Sequence, residues 1–190
     1  MSNGVELLPA MVAISGAFMY VLTSGIEPKY FFGTHWDKKI PLLPVFVLPY
    51  IFLLPYGIGT LLALIGTPYL DPFLLSMGIA GWMAGAIWYL VPAAMSRPKI
   101  VKNDVLSGLI AAIYRLDAKA NTFPSSHVFS AMICSYFLSL AHPEFIVIFT
   151  TTGVLIVLST LFVRQHHLAD VAGGAAWAIT AISVAHTLWA

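Results

Sequence analysis

Six apolar runs, each close to the length of a membrane span, constrain this chain more than any other feature. A spanning helix needs about 20 consecutive apolar residues. The runs are Leu7 to Ser24, Leu42 to Ile65, Pro72 to Ala94, Ser125 to Ala141, Pro143 to Val163 and His167 to Trp189. The fourth is short. The second contains Pro44, Pro49 and Pro55, which imply kinks whose freed carbonyls are taken up by neighbouring helices. Of 190 residues, 59% are hydrophobic and only 9% charged, against about 25% charged in a soluble domain. The expected fold is all-α and integral to the membrane: a six-transmembrane-helix bundle forming one domain over residues 1–190. The start, MSNGVELLPA, lacks a basic leader, so no cleaved signal peptide is expected. The single cysteine, Cys134, has no partner for an intrachain disulfide and reads as a small buried hydrophobe.

With six spans, the loops joining spans 1 to 2, 3 to 4 and 5 to 6 share one face. That face carries Lys29, Lys38, Lys39, Arg97, Lys99, Lys102, Arg115, Lys119 and Arg164, which is every Lys and Arg in the chain. The other face has Glu6, Asp71, His142 and Glu144. The positive-inside rule puts the basic face in the cytoplasm. If Arg97, Lys119 and Arg164 are there to bind an anion, they say less about orientation. Within the loop Met95 to Pro124, NDVLSGLIAAIYRL sets Val105, Leu109, Ile113 and Leu116 on one helical stripe. That pattern predicts an interfacial helix between spans 3 and 4, capped by Asn103 or Asp104. Tyr30, Phe31, Phe32 and Trp36 read as interfacial anchors.

Three polar clusters reach the basic face: MSRPK, DAKANTFPSSH and VRQHHLAD. Ionisable residues near a bundle end are costly when buried, so a gathering of histidines, an aspartate and arginines points to an anion site. His166 and Asp170 are four apart, and His167 and Asp170 three apart; both spacings suit a carboxylate orienting an imidazole, and spacing does not separate them. In FPSSHVFS, Pro124 suits a helix start, and Ser125, Ser126 and His127 then offer first-turn N–H groups to an anion.

These pieces resemble the type 2 phosphatidic acid phosphatase superfamily, whose blocks are Lys-x6-Arg-Pro, Pro-Ser-Gly-His and Ser-Arg-x5-His-x3-Asp. Here they read Arg97-Pro98, Pro124 to His127 and Ser159 to Asp170, in the right order, over roughly Tyr89 to Gly174. The resemblance implies a six-span, metal-independent lipid phosphatase with no cofactor, acting through a phosphohistidine. His166 is the implied nucleophile, since the family spacing selects it over His167. Asp170 orients it, and His127 protonates the leaving group and then activates water. Arg97, Ser125, Ser126 and the first-turn N–H groups hold the phosphoryl oxygens.

The chain departs from the pattern at Leu90, Thr160 and Ser126, where the family has lysine, arginine and glycine. Arg164 and Lys119 are the candidates to replace the missing cations. The RQHxxxD form resembles the branch containing inositol phosphorylceramide synthases, which transfer a phospho-head-group to an alcohol; that is the alternative reading. The implied partners are a lipid phosphate and the bilayer, with no nucleic acid. Two rival readings are a zinc site built from His127, His166, His167 and Asp170 and a membrane transporter. His142 and His186 read as structural, and His35 as a solvated loop residue.

Overall fold

The computed structural model describes residues 7–100, 104–117 and 120–189. Its regular elements are helices: α1 (Leu7–Thr23), α2 (Val47–Leu64), α3 (Leu70–Leu90), α4 (Val105–Leu116), α5 (Ser126–Ala141), α6 (Ile146–Phe162) and α7 (Leu168–Leu188). No strand is present among the described residues. Four helical stretches are long and apolar enough to cross a membrane: Pro44–Leu64, Leu70–Leu90, Pro143–Phe162 and Leu168–Leu188. Helices α1 and α5 are also apolar but shorter, at 17 and 16 residues.

Side chains such as Leu54 and Leu62 on α2 and Val147 on α6 face outward. Inside, α3, α5, α6 and α7 surround a core that includes Phe73, Trp88, Phe137 and Ile156. Helix α1 packs along α3, whereas α2 packs on α5 and α6. The α1–α3 seam is built on glycine. A Cβ on Gly81 would lie 2.6 Å from the Gly16 backbone, and one on Gly85 2.6 Å from Met19. Gly81 and Gly85 form a GxxxG pair, which lets two backbones approach without a side chain between them. Of the prolines in the second apolar run, Pro44 precedes α2, Pro49 sits in its first turn and Pro55 lies in its interior.

Helix α4 is capped by Asp104, whose carboxylate accepts from Ser107 N at 3.0 Å. Asn103 lies outside the described residues. The packed side of α4 is not the expected stripe. Ile110 is buried, and Leu106, Ile113 and Tyr114 join it against Val47, Tyr50 and Val163. Val105, Leu109 and Leu116 face outward. The helix has apolar residues on two sides, and of the stripe read from periodicity only Ile113 joins the packed side.

Candidate active site

The three sequence blocks meet at one end of the bundle. Ser125 is the N-cap of α5, and its hydroxyl accepts from Val128 N at 3.4 Å. Pro124 therefore precedes the cap and does not occupy the first helical position. Its carbonyl is held by Trp88 Nε1 at 3.2 Å, tying the block to the end of α3. Ser126 and His127 occupy the first turn, where helix geometry provides no intrahelical acceptor for the N–H groups. Ser125 N donates to the Asp170 carbonyl at 3.1 Å. Behind this join a Cβ on Gly174 would meet the Ser125 carbonyl at 2.7 Å, so α5 and α7 sit in close contact.

The third block is a tight turn between α6 and α7. Both Gln165 N and His166 N donate to the Thr160 carbonyl, at 3.0 and 3.2 Å. Arg164 adopts a left-handed conformation (φ 55°) just past the end of α6, the place where chains commonly use glycine. His166 precedes α7, so it and Asp170 meet across the helix start instead of along one helical face. Asp170 Oδ2 accepts from His167 N at 2.8 Å and lies 3.5 Å from His166 Nδ1.

The structure separates the two adjacent histidines. The His166 ring faces His127 across 6.1 Å and lines a cavity with Asp117, Ser126, His127 and Gln165. The His167 ring instead packs on Phe31 at 4.8 Å, beneath Gly33. His166 Nδ1 sits 2.9 Å from the Thr122 carbonyl. A carbonyl only accepts, so Nδ1 carries a proton, and in the neutral ring the lone pair is then on Nε2. The Asp170 carboxylate is near enough to stabilise positive charge on the ring. His127 stacks on Tyr50 with centroids 4.1 Å apart.

Asp117 forms the far wall of the cavity. Tyr20 and Tyr50 hydroxyls both donate to its carboxylate, Tyr50 at 3.4 Å, and Arg97 Nη2 lies 3.6 Å away. Arg97 also donates to the Tyr114 carbonyl at 2.7 Å, at the C-terminal end of α4. Arg97 therefore reaches the cavity through Asp117. Tyr20, Tyr50 and Thr122 carried no sequence signal, because residues from α1, α2 and a turn become neighbours only through the fold; Gln165 stood out only as the glutamine of RQHxxxD, with no role attached.

Arg164 points elsewhere. Its Nη1 donates to the Asp37 and Ile40 carbonyls, the latter at 3.0 Å. Its charge anchors the loop after α1 and does not line the cavity. In the same loop Asp37 Oδ1 accepts from Leu168 N at 2.7 Å, while Oδ2 accepts from Thr34 N and Thr34 Oγ1. Burial alone would raise the Asp37 carboxyl, but the bonds from the Thr34 hydroxyl and the Leu168 and Thr34 N–H groups outweigh it and hold the pKa below its ordinary 3.8. Lys119 lies outside the described residues. Leu90 is 66% exposed, and Thr160 is buried with its hydroxyl on Val157 O, so neither stands in for a phosphate-binding cation.

Phe31, expected as an interfacial anchor, packs on His167, and Phe32 packs on Phe123 at 5.0 Å, so this loop roofs the third block. His186 bonds Tyr136 at 3.0 Å and His142 lies 3.8 Å from Glu144, both remote from the cavity. Among the described residues, no group of three or more His, Cys, Asp or Glu side chains is placed to hold a metal ion. Compared with known proteins, the chain matches no family model, no curated protein and no solved structure.

Proposed function

We propose that this protein is a six-span integral membrane enzyme that cleaves a lipid phosphate ester or pyrophosphate, with His166 as the nucleophile and α4 lying at the membrane interface. The observation that carries the reading is the pair of facing imidazoles, His127 and His166, with His166 Nδ1 committed to the Thr122 carbonyl. That arrangement leaves Nε2 as an unprotonated nucleophile aimed at the cavity. In the first step Nε2 bonds to phosphorus and the bond to the leaving oxygen breaks. That oxygen takes a proton from His127. In the second step His127 removes a proton from water, the water oxygen bonds to phosphorus, and the P–N bond breaks. Asp170 stabilises the cationic ring while the phosphohistidine exists.

The cradle for the phosphoryl oxygens is the first turn of α5, with Ser126 beside the cavity. Tyr20, Tyr50 and Arg97 already converge on one oxyanion, the Asp117 carboxylate. Such donors suit phosphoryl oxygens equally well. The route for the lipid chain is a groove of about 700 Å³ between α1 and α2, lined by Ile14, Ile51, Leu54 and Leu61, with His127 and Ser130 among its walls. Its apolar walls support a lipid over a soluble phosphate.

Head-group transfer to an alcohol is the second reading. It is favoured by the placement of Arg164 on backbone carbonyls and by the neutral residues at Leu90 and Thr160. Fewer cations suit a phosphodiester with one charge over a monoester with two. The test is purified protein against phosphatidic acid, phosphatidylglycerophosphate and isoprenyl pyrophosphate, with and without an alcohol acceptor. Free phosphate identifies a phosphatase, and a new phosphodiester without free phosphate identifies a transferase. Lipid flux without bond cleavage, persisting in His166→Ala, would instead indicate transport.

A further inference from the structure

Gln165 is 1% exposed, yet neither its Nε2 nor its Oε1 has a hydrogen-bond partner among the described residues. An unpaired buried amide is strongly disfavoured, so such a group in a native fold calls for a ligand or a water. The side chain lines the cavity shared by His127 and His166, which at about 10 Å³ has room for about one water and must widen to admit a phosphoryl group. Asn121 Oδ1 and Thr122 Oγ1 line the same cavity and are likewise buried without partners. Asn121 is held there in a left-handed backbone conformation (φ 72°), its Nδ2 bonded to Thr23 Oγ1 at 2.9 Å. Three neighbouring side chains thus leave polar atoms unspent around one space.

Their chemistry is specific. The space is bounded by two imidazoles, a carboxylate and these neutral groups. Asn121 has already spent its Nδ2 on Thr23 Oγ1 and the Tyr20 carbonyl, so Gln165 alone offers both an unspent two-hydrogen donor and an unspent acceptor. The short turn fixes it: Gln165 N and His166 N share the Thr160 carbonyl, so the amide and the nucleophile are set by one backbone anchor.

We propose that Gln165 contacts the substrate, its amide N–H donating to an oxygen of the transferred phosphoryl group and its Oε1 accepting one hydrogen of the water that attacks the phosphoenzyme, whose other hydrogen goes to His127. The inference rests on the phosphohistidine reading and extends it. Gln165 exchanges no proton. It supplies a neutral donor on the phosphoryl group and holds the incoming water along the side away from Nε2.

The discriminating variant is Gln165→Met, similar in length and apolar. A structural glutamine would lose stability on that change. A glutamine waiting for a ligand would not, because the substitution removes an unsatisfied buried group. Orthovanadate binding and phosphoenzyme formation from ³²P-labelled phosphatidic acid are measured for wild type, Gln165→Met, Gln165→Glu and His166→Ala, with thermal melting in detergent. The expected result is a Gln165→Met protein that melts at or above the wild-type temperature, binds vanadate about 10–100-fold more weakly and labels correspondingly more slowly. Gln165→Glu, of equal size, should bind vanadate more weakly still and recover partly on acidification as its carboxyl is protonated. A Gln165→Met protein with lowered melting but wild-type vanadate affinity and labelling overturns the assignment, as does a wild-type-like, pH-flat affinity in Gln165→Glu. If the wild type itself neither labels nor binds vanadate, the phosphohistidine reading falls, and this inference with it.

Discussion

At the scale of single residues, the account turns on which atom of which histidine is free. Spacing left His166 and His167 equivalent as partners of Asp170. The fold resolves them because Phe31 and Gly33 cover one ring while the Thr122 carbonyl takes Nδ1 of the other. Neither Phe31 nor Thr122 belongs to the HxxxD spacing, so the residues alone left the pair open, and only the family resemblance favoured His166. The start of α5, by contrast, was legible to within a residue: Pro124 was expected at its first position, but Ser125 is the cap and its N–H is spent on the Asp170 carbonyl, which leaves Ser126 and His127 in the first turn. His127→Ala is expected to slow turnover by about 10²–10⁴-fold, most for substrates with poor leaving oxygens. A kcat that is equally reduced for good and poor leaving groups would contradict its role as the acid. Asp37 has a separate, structural role at the start of α7. Its folded pKa lies below 3.8, so its contribution is complete above that value and fades as pH falls through the folded pKa. Asp37→Ala is expected to cost about 1.5–3 kcal/mol at neutral pH, and to remove the acid-side slope of melting temperature against pH below about 4. An unchanged slope in the variant would argue against this linkage.

At the scale of elements, hydrophobicity made the helices visible but not their rotation. All seven helices fall on apolar or amphipathic runs of the sequence. The side by which α4 packs was not visible, since Val105, Leu109 and Leu116 of the expected stripe face outward while Ile110 fills the core. The α1–α3 seam was also hidden, since its determinant is the absence of side chains at Gly16, Gly78, Gly81 and Gly85. Gly81→Val is expected to destabilise the protein by about 1–3 kcal/mol through overpacking. It should also lower activity, because α1 brings Tyr20 to Asp117. Gly59→Ala in α2 meets nothing within 4 Å and serves as the control, with unchanged melting and turnover. Equal melting temperatures for the two variants would show that the glycine seam carries no packing constraint.

At the scale of the whole molecule, α1 follows α3 and α2 follows α5 and α6, and the groove between the two sets leads from an apolar flank to His127. Leu54→Trp should narrow that groove and raise KM for long-chain lipid phosphates several-fold, leaving a short-chain water-soluble analogue unaffected. Equal KM changes for both would place the lipid route elsewhere. The central claim is a covalent bond between phosphorus and His166 Nε2. Its most direct measurement is the trapping of ³²P from labelled lipid phosphates in denatured protein, followed by mapping of the labelled residue. The account predicts an acid-labile, alkali-stable label on His166 that is lost in His166→Ala together with turnover. Turnover at the wild-type rate in His166→Ala, or label on another residue, would contradict it.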